Sequence, residues 1–215
     1  MRQRLILTVL ATALLALLLP AAASAKRTVY VSDIAGDQVD FLSADVASGA
    51  LTPAGNVPAP GSGQTSLALT PDGKYLYQAD YAAEELRGYA VAADGSLAPL
   101  PGSPFAAQEA QGLTATADGK YLYAADDGTA ATVRGYSIGA DGALTPLPNS
   151  PYPAVPALYG MASSPDSKFV YAVTTGGPTR IVGYSIGADG ALTPLPATMP
   201  APGTSARAVV FAPDG

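Results

Sequence analysis

Short apolar runs recur along this chain, and within each run the side chains alternate. In "KYLYQAD", Tyr75 and Tyr77 fall on one side and Leu76 and Gln78 on the other, which is the period of a strand packed on both faces. Runs of the same kind start at Thr28 ("TVYVSD"), Tyr121 ("YLYAAD") and Phe169 ("FVYAVT"). Ahead of the last three stand "LALTPDGK", "LTATADGK" and "MASSPDSK", and a fourth copy, "VVFAPDG", covers Val209 to Gly215. The turn aspartates of these four copies, Asp72, Asp118, Asp166 and Asp214, are spaced 46, 48 and 48 residues apart. Behind each aromatic run come "LRGYAV", "VRGYSI" or "IVGYSI", and then "DGSLAPL" or one of two copies of "DGALTPL". The stretch "GYSIGADGALTPLP" is written twice, at Gly135 and again at Gly183.

Each unit therefore holds four short runs, A to D, bounded by turn residues. Four strands in roughly 40–50 residues is the period of a β-propeller blade, and the period-two alternation rules out a helical repeat of similar length. The fold class predicted is all-β. The A-to-B links (Asp72-Gly73, Asp118-Gly119) and the C-to-D links (Asp94-Gly95, Asp141-Gly142, Asp189-Gly190) read as tight hairpins in which glycine takes a positive φ. Turn chemistry, and not metal binding, accounts for those aspartates. Small residues at one A-strand position, Ala68, Thr114 and Ala162, with Val210 in the last copy, suit the crowded strands around a propeller axis. Antiparallel order puts both kinds of tight turn on one face of the disc. The irregular B-to-C and D-to-A connections share the other face, where a site is expected.

Composition changes this picture at one end. Arg2 and Arg4, the apolar run Leu5 to Leu19, and Ala23-Ser24-Ala25 read as a secretory signal peptide over 1–25, cleaved after Ala25. The expected product is a repeat domain over 26–215, secreted to the extracellular space, periplasm or cell envelope, with no membrane span after cleavage. The chain has no cysteine, so packing alone must stabilise it. Its formal net charge is −6 and no basic cluster offsets this, so nucleic acid is not an expected partner.

With "TPDGKYLY", "VRGYSIGADGALTPLP" and "NSPY" in view, residues 28–215 resemble the bacterial lactonase family of β-propellers, which includes 6-phosphogluconolactonase-type enzymes. The resemblance implies seven-bladed discs and the hydrolysis, or related ring closure, of a lactone. It also implies a central cleft served by histidine, arginine and glutamate. This chain has no histidine, so that set does not transfer residue by residue. About four blades are expected here. Two architectures fit that number: part of a seven-bladed disc, or a closed four-bladed disc in which the final A run completes the first blade.

The candidate site residues lie on the loop face. Asp33, Asp80 and Asp126 occupy equivalent B-strand ends, where the fourth copy has Thr174. They could hold a calcium-like divalent cation, or each could cap its own turn. No other cofactor is expected. Arg87 and Arg134 follow the repeat, whereas Arg180 and Arg207 break it and stand near the predicted cleft. Glu109, in a D-to-A loop, is the spare glutamate. Asp126, Glu109, Arg180 and Arg207 are thus the catalytic candidates. Two functions follow: a secreted binding or scaffold module for a small molecule or an extracellular or envelope partner, or a lactone-ring hydrolase. Phosphorylated sugar lactones are cytoplasmic, so an exported hydrolase requires a different lactone.

Overall fold

The computed structural model describes residues 26–61, 63–126, 131–175, 179–196, 199–200 and 206–212. The expected signal segment and Asp214 lie outside these residues. The first sheet runs β1 (Lys26–Asp33), β2 (Gln38–Asp45), β3 (Leu51–Pro58). The second runs β4 (Gln64–Leu69), β5 (Tyr75–Asp80), β6 (Glu85–Val91), β7 (Leu97–Pro99), with β8 (Phe105–Ala106) also paired to β6. The third repeats this with β9 (Ala110–Ala115), β10 (Tyr121–Asp126), β11 (Thr132–Ile138), β12 (Leu144–Pro146) and β13 (Tyr152–Pro153). The fourth has β14 (Leu158–Ser163), β15 (Phe169–Thr174), β16 (Arg180–Ile186), β17 (Leu192–Pro194) and β18 (Met199–Pro200). Every pairing is antiparallel, and the innermost strands β4, β9 and β14 pack side by side. These four sheets are propeller blades.

Two residue types account for the stacking. The B-strand tyrosines Tyr77 and Tyr123 and the C-strand glycines Gly88 and Gly135 are direct cross-strand partners, as are Tyr171 and Gly183. A methyl group on Gly135 would stand 2.9 Å from Leu147 and 3.1 Å from the Tyr123 ring, so the ring lies flat only because its partner has no side chain. The ring then reaches the next blade. Tyr77 donates its hydroxyl to the Gly142 carbonyl at 2.7 Å, and Tyr123 does the same to Gly190 at 2.7 Å. Tyr30 closes the same latch from the first blade onto Gly95, at 2.9 Å. The twice-written "GYSIGADGALTPLP" thus supplies the ring's seat and the neighbouring tyrosine's acceptor in one segment. On the other face of the β5–β6 pair, Leu76 and Tyr89 pack with Val39 and Val57, and the buried Gln78 amide donates to Ser32 Oγ at 2.9 Å.

Three features depart from the sequence expectation. The stretch expected as a D-to-A loop, "PGSPFAAQEAQG", contains β8, and its counterpart contains β13, because the fourth strand is split into two pieces around a proline turn. That split removes the strand partner of the Gly88 and Gly135 N–H groups. Ser103 Oγ and Ser150 Oγ accept them instead, each at 3.0 Å, which explains "GSP" and "NSP". Secondly, residues 209–212, the described part of the Val209 to Gly215 run expected as a fourth A strand, form no strand. They lie along β14, with Phe211 tilted against Tyr171 at 5.5 Å, and the first sheet has three strands, so the run does not complete the first blade. Thirdly, Ala68 and Thr114 sit in the wedge between blades and do not face the axis. Ala68 joins the core around Leu113 and Leu122, and Thr114 Oγ1 accepts the Ser163 N–H at 3.0 Å.

Candidate functional site

A strand that pairs regularly alternates its side chains between the two neighbouring blades and has none to spare for the axis. Each inner strand departs from that rule at one place. In β4 the register passes from Gln64–Asp80 to Ser66–Ala79, leaving Thr65 as an extra residue. In β9 it passes from Ala110–Asp126 to Gly112–Ala125, leaving Gln111. In β14 the irregularity spans Tyr159 and Gly160, between Leu158 and Met161. Such bulges re-aim a side chain that regular pairing would commit to the sheet.

Thr65, Gln111 and Tyr159 line one cleft of about 250 Å³ at the inner edges of the blades, together with Arg207. Arg207 Nη1 donates to the Tyr159 hydroxyl at 3.2 Å, and its guanidinium lies 5.0 Å from the centre of the Tyr159 ring. Gln111 Oε1 is buried and has no hydrogen-bond partner among the described residues. The walls close tightly because of glycine. A methyl on Gly112 would fall 1.9 Å from the Tyr159 carbonyl oxygen, and one on Gly160 would fall 2.4 Å from that of Arg207. Among the described lining residues the cleft holds one cation, an amide, a phenol and hydroxyls, and no carboxylate.

One strand further out lies the row of B-strand ends. Asp33 Oδ1 accepts the N–H groups of Ala35 and Gly36, both at 3.0 Å. Asp80 is fully buried; its Oδ1 accepts the Ala83 N–H at 3.0 Å and its Oδ2 pairs with Arg87 Nη1 at 2.7 Å. The same guanidinium reaches Glu85 at 3.2 Å and donates to the Pro60 carbonyl. Asp126 Oδ2 accepts the Thr132 hydroxyl at 3.0 Å, and Thr174 Oγ1 accepts the Arg180 N–H at 2.9 Å. Apart from that to Pro60, each of these contacts lies within its own B-to-C hairpin. Among the described residues no group of three or more acidic side chains converges.

The model of the family "Lactonase, 7-bladed beta-propeller" matches residues 19–112. Among solved structures, a candidate 6-phosphogluconolactonase of Bacteroides fragilis is 22% identical with a TM-score of 0.71, covering 82% of this chain and 54% of its own. The chain shares the β-propeller fold of that structure. A candidate 6-phosphogluconolactonase of Bacteroides uniformis (18% identical, TM-score 0.63) covers 80% of this chain and 56% of its own. The periplasmic gluconolactonase of Pseudomonas aeruginosa (23% identical, TM-score 0.66) covers 76% and 49%. No curated protein matches by sequence. The chain spans about half the length of the solved structures it resembles.

Within this propeller, Arg207 is, among the described residues, the sequence candidate that lines the axial cleft. Glu109 is half-buried, one residue ahead of β9, with no hydrogen bond or ion pair among the described residues. Arg180 is exposed at the start of β16. Sequence reading passed over Thr65, Gln111 and Tyr159, because a bulge leaves the apolar pattern on either side intact. The nearest signal was the small residue that follows each of the first two, Ser66 and Gly112, and Gly160 after Tyr159. Arg87, read as a repeat residue, forms the buried ion pair with Asp80.

Proposed function

We propose that this lactonase-type propeller is an exported binding module that holds an anionic small molecule of the sugar-acid class in its axial cleft. The observation that carries the reading is the Arg207 guanidinium stacked on Tyr159 beside the unpartnered Gln111 amide oxygen. A planar guanidinium matches a carboxylate through two parallel hydrogen bonds, and the amide oxygen and phenol offer partners for sugar hydroxyls. Hydrolysis also needs a base to activate water, and the described lining supplies none. Export is supported by the Leu5 to Leu19 run with its Ala23-Ser24-Ala25 cleavage site and by the periplasmic source of one similar structure. The test is calorimetric titration of the purified chain with gluconate. Arg207→Gln is expected to weaken binding about tenfold or more, the equivalent of losing a charge-assisted hydrogen bond. Undiminished binding by that variant would sink the reading.

One observation favours hydrolysis of a lactone instead: Glu109 is half-buried, has no partner among the described residues, and stands two residues before Gln111. Continuous titration of the acid released from gluconolactone, above the spontaneous rate and abolished by Glu109→Gln, would establish that alternative.

A further inference from the structure

We propose a second binding site, for a small zwitterion bearing both a carboxylate and an ammonium group, in the cleft between the second and third blades on the loop face. It is separate from the axial cleft and does not depend on the function assigned there. The cleft measures about 530 Å³ and lies between the β6–β8 edge of one blade and Arg134 of the next. That size is within the range of small-ligand sites. Glu84, Glu85, Gln108 and Arg134 supply its polar wall, and small side chains such as Ala83 and Ala106 the rest.

The anion-seeking half comes from comparing two arginines. Arg87 and Arg134 hold the same register position, opposite Gln78 in β5 and Ala124 in β10. Arg87 is saturated by Asp80, Glu85 and the Pro60 carbonyl. Arg134 forms no ion pair among the described residues. Its Nη2 donates to the neutral Gln108 amide oxygen, and its Nε is buried without a partner. A partly dehydrated guanidinium in that state lacks the anion that would compensate it.

The cation-seeking half comes from Glu84 on the same cleft. Its backbone is held at φ 56°, in the left-handed region that costs a non-glycine residue energy. The Ala107 N–H fixes it there by donating to the Glu84 carbonyl at 2.8 Å. Its exposed carboxylate has no partner among the described residues. A simple anion drawn to Arg134 would be repelled by Glu84 and by Glu85, whose charge Arg87 shares. A simple cation would be repelled by Arg134. A molecule carrying both charges satisfies both walls, and the small apolar residues leave room for a short chain between or beside them.

Glycine, glycylglycine and triglycine, which differ in the distance between their charged ends, are the probes, with acetate and methylammonium as single-charge controls. In calorimetric titrations, one zwitterion of the series is expected to bind at least about tenfold more tightly than either control. Arg134→Gln and Glu84→Gln should each weaken it about tenfold or more, and Arg207→Gln should leave it unchanged. Glu84 is exposed, so its variant tests the site even where Arg134→Gln disturbs packing. Failure of all three zwitterions to bind, binding equal to that of a control, or binding unaffected by Glu84→Gln would overturn the proposal.

Discussion

Asp80 and Arg87 form an ion pair whose carboxylate has no exposed surface, and the stability of the second blade depends on both members. Removing the cation leaves a buried, uncompensated charge, so Arg87→Ala is expected to cost about 3–5 kcal/mol in denaturant unfolding. Replacing the pair together, Asp80→Leu with Arg87→Met, should recover much of that loss, since no charge is then stranded. A double variant as unstable as Arg87→Ala would contradict this account. The tyrosine latch makes a smaller contribution. Tyr77→Phe keeps the ring on Gly88 but strips the Gly142 carbonyl of its donor, at an expected cost of about 1 kcal/mol by the same measurement. The tyrosine positions were legible in the sequence as packing residues. Their acceptors were not, because each lies in the next blade. The Asp80–Arg87 pair escaped notice for a similar reason: the two residues meet only once the β5–β6 hairpin closes.

At the scale of strands and hairpins, most of the architecture was readable, since alternation and Asp-Gly turns are local signals. The "TPDGK" turn shows why. Thr70 Oγ1 donates to Asp72 Oδ1 at 2.7 Å, the Lys74 N–H reaches the same oxygen at 3.1 Å, and Gly73 takes φ 72°. These contacts, with the Thr70 hydroxyl foremost, hold the Asp72 carboxyl down at about 2. What the sequence hid were β8 and β13, two residues each and too short to show any period, and the bulges that free Thr65, Gln111 and Tyr159. The C-strand glycine offers the sharpest test at this scale. Gly135→Ala would press a methyl against Leu147, Tyr123 and Tyr152, and overpacking of this kind costs about 1–3 kcal/mol. Thermal unfolding that is unchanged in this variant would show that the ring does not need its bare seat.

Across the whole molecule, tyrosine hydroxyls bridge each blade to the next, and this gives the protein an alkaline limit. Burial raises the phenols of Tyr77 and Tyr123 strongly, and raises Tyr184 to about 12. A phenol whose native pKa lies above its unfolded value of about 10 contributes stability that is complete below pH 10 and is lost as pH rises through the native value. Spectrophotometric titration should therefore show exposed tyrosines ionising near pH 10, with the latch tyrosines following only as the fold is lost toward pH 12. A single smooth ionisation of all tyrosines without unfolding would be incompatible with buried latches.

The same latches carry a clock. Tyr30 and Tyr77 each find their acceptor 65 residues downstream, and Tyr123 finds its own 67 residues downstream, so each bond spans more than one repeat. A ribosome or an export channel delivers the chain from its first residue onward. When a blade's own four strands have emerged, its tyrosine still points at a turn that has not yet been delivered. Each blade must therefore wait for its successor, and a nascent chain halted just before Gly142 is expected to leave Tyr77 open to iodination, while one halted well beyond it protects the ring. Maturation of this propeller then travels along the polypeptide as a wave, always more than one blade behind the growing end.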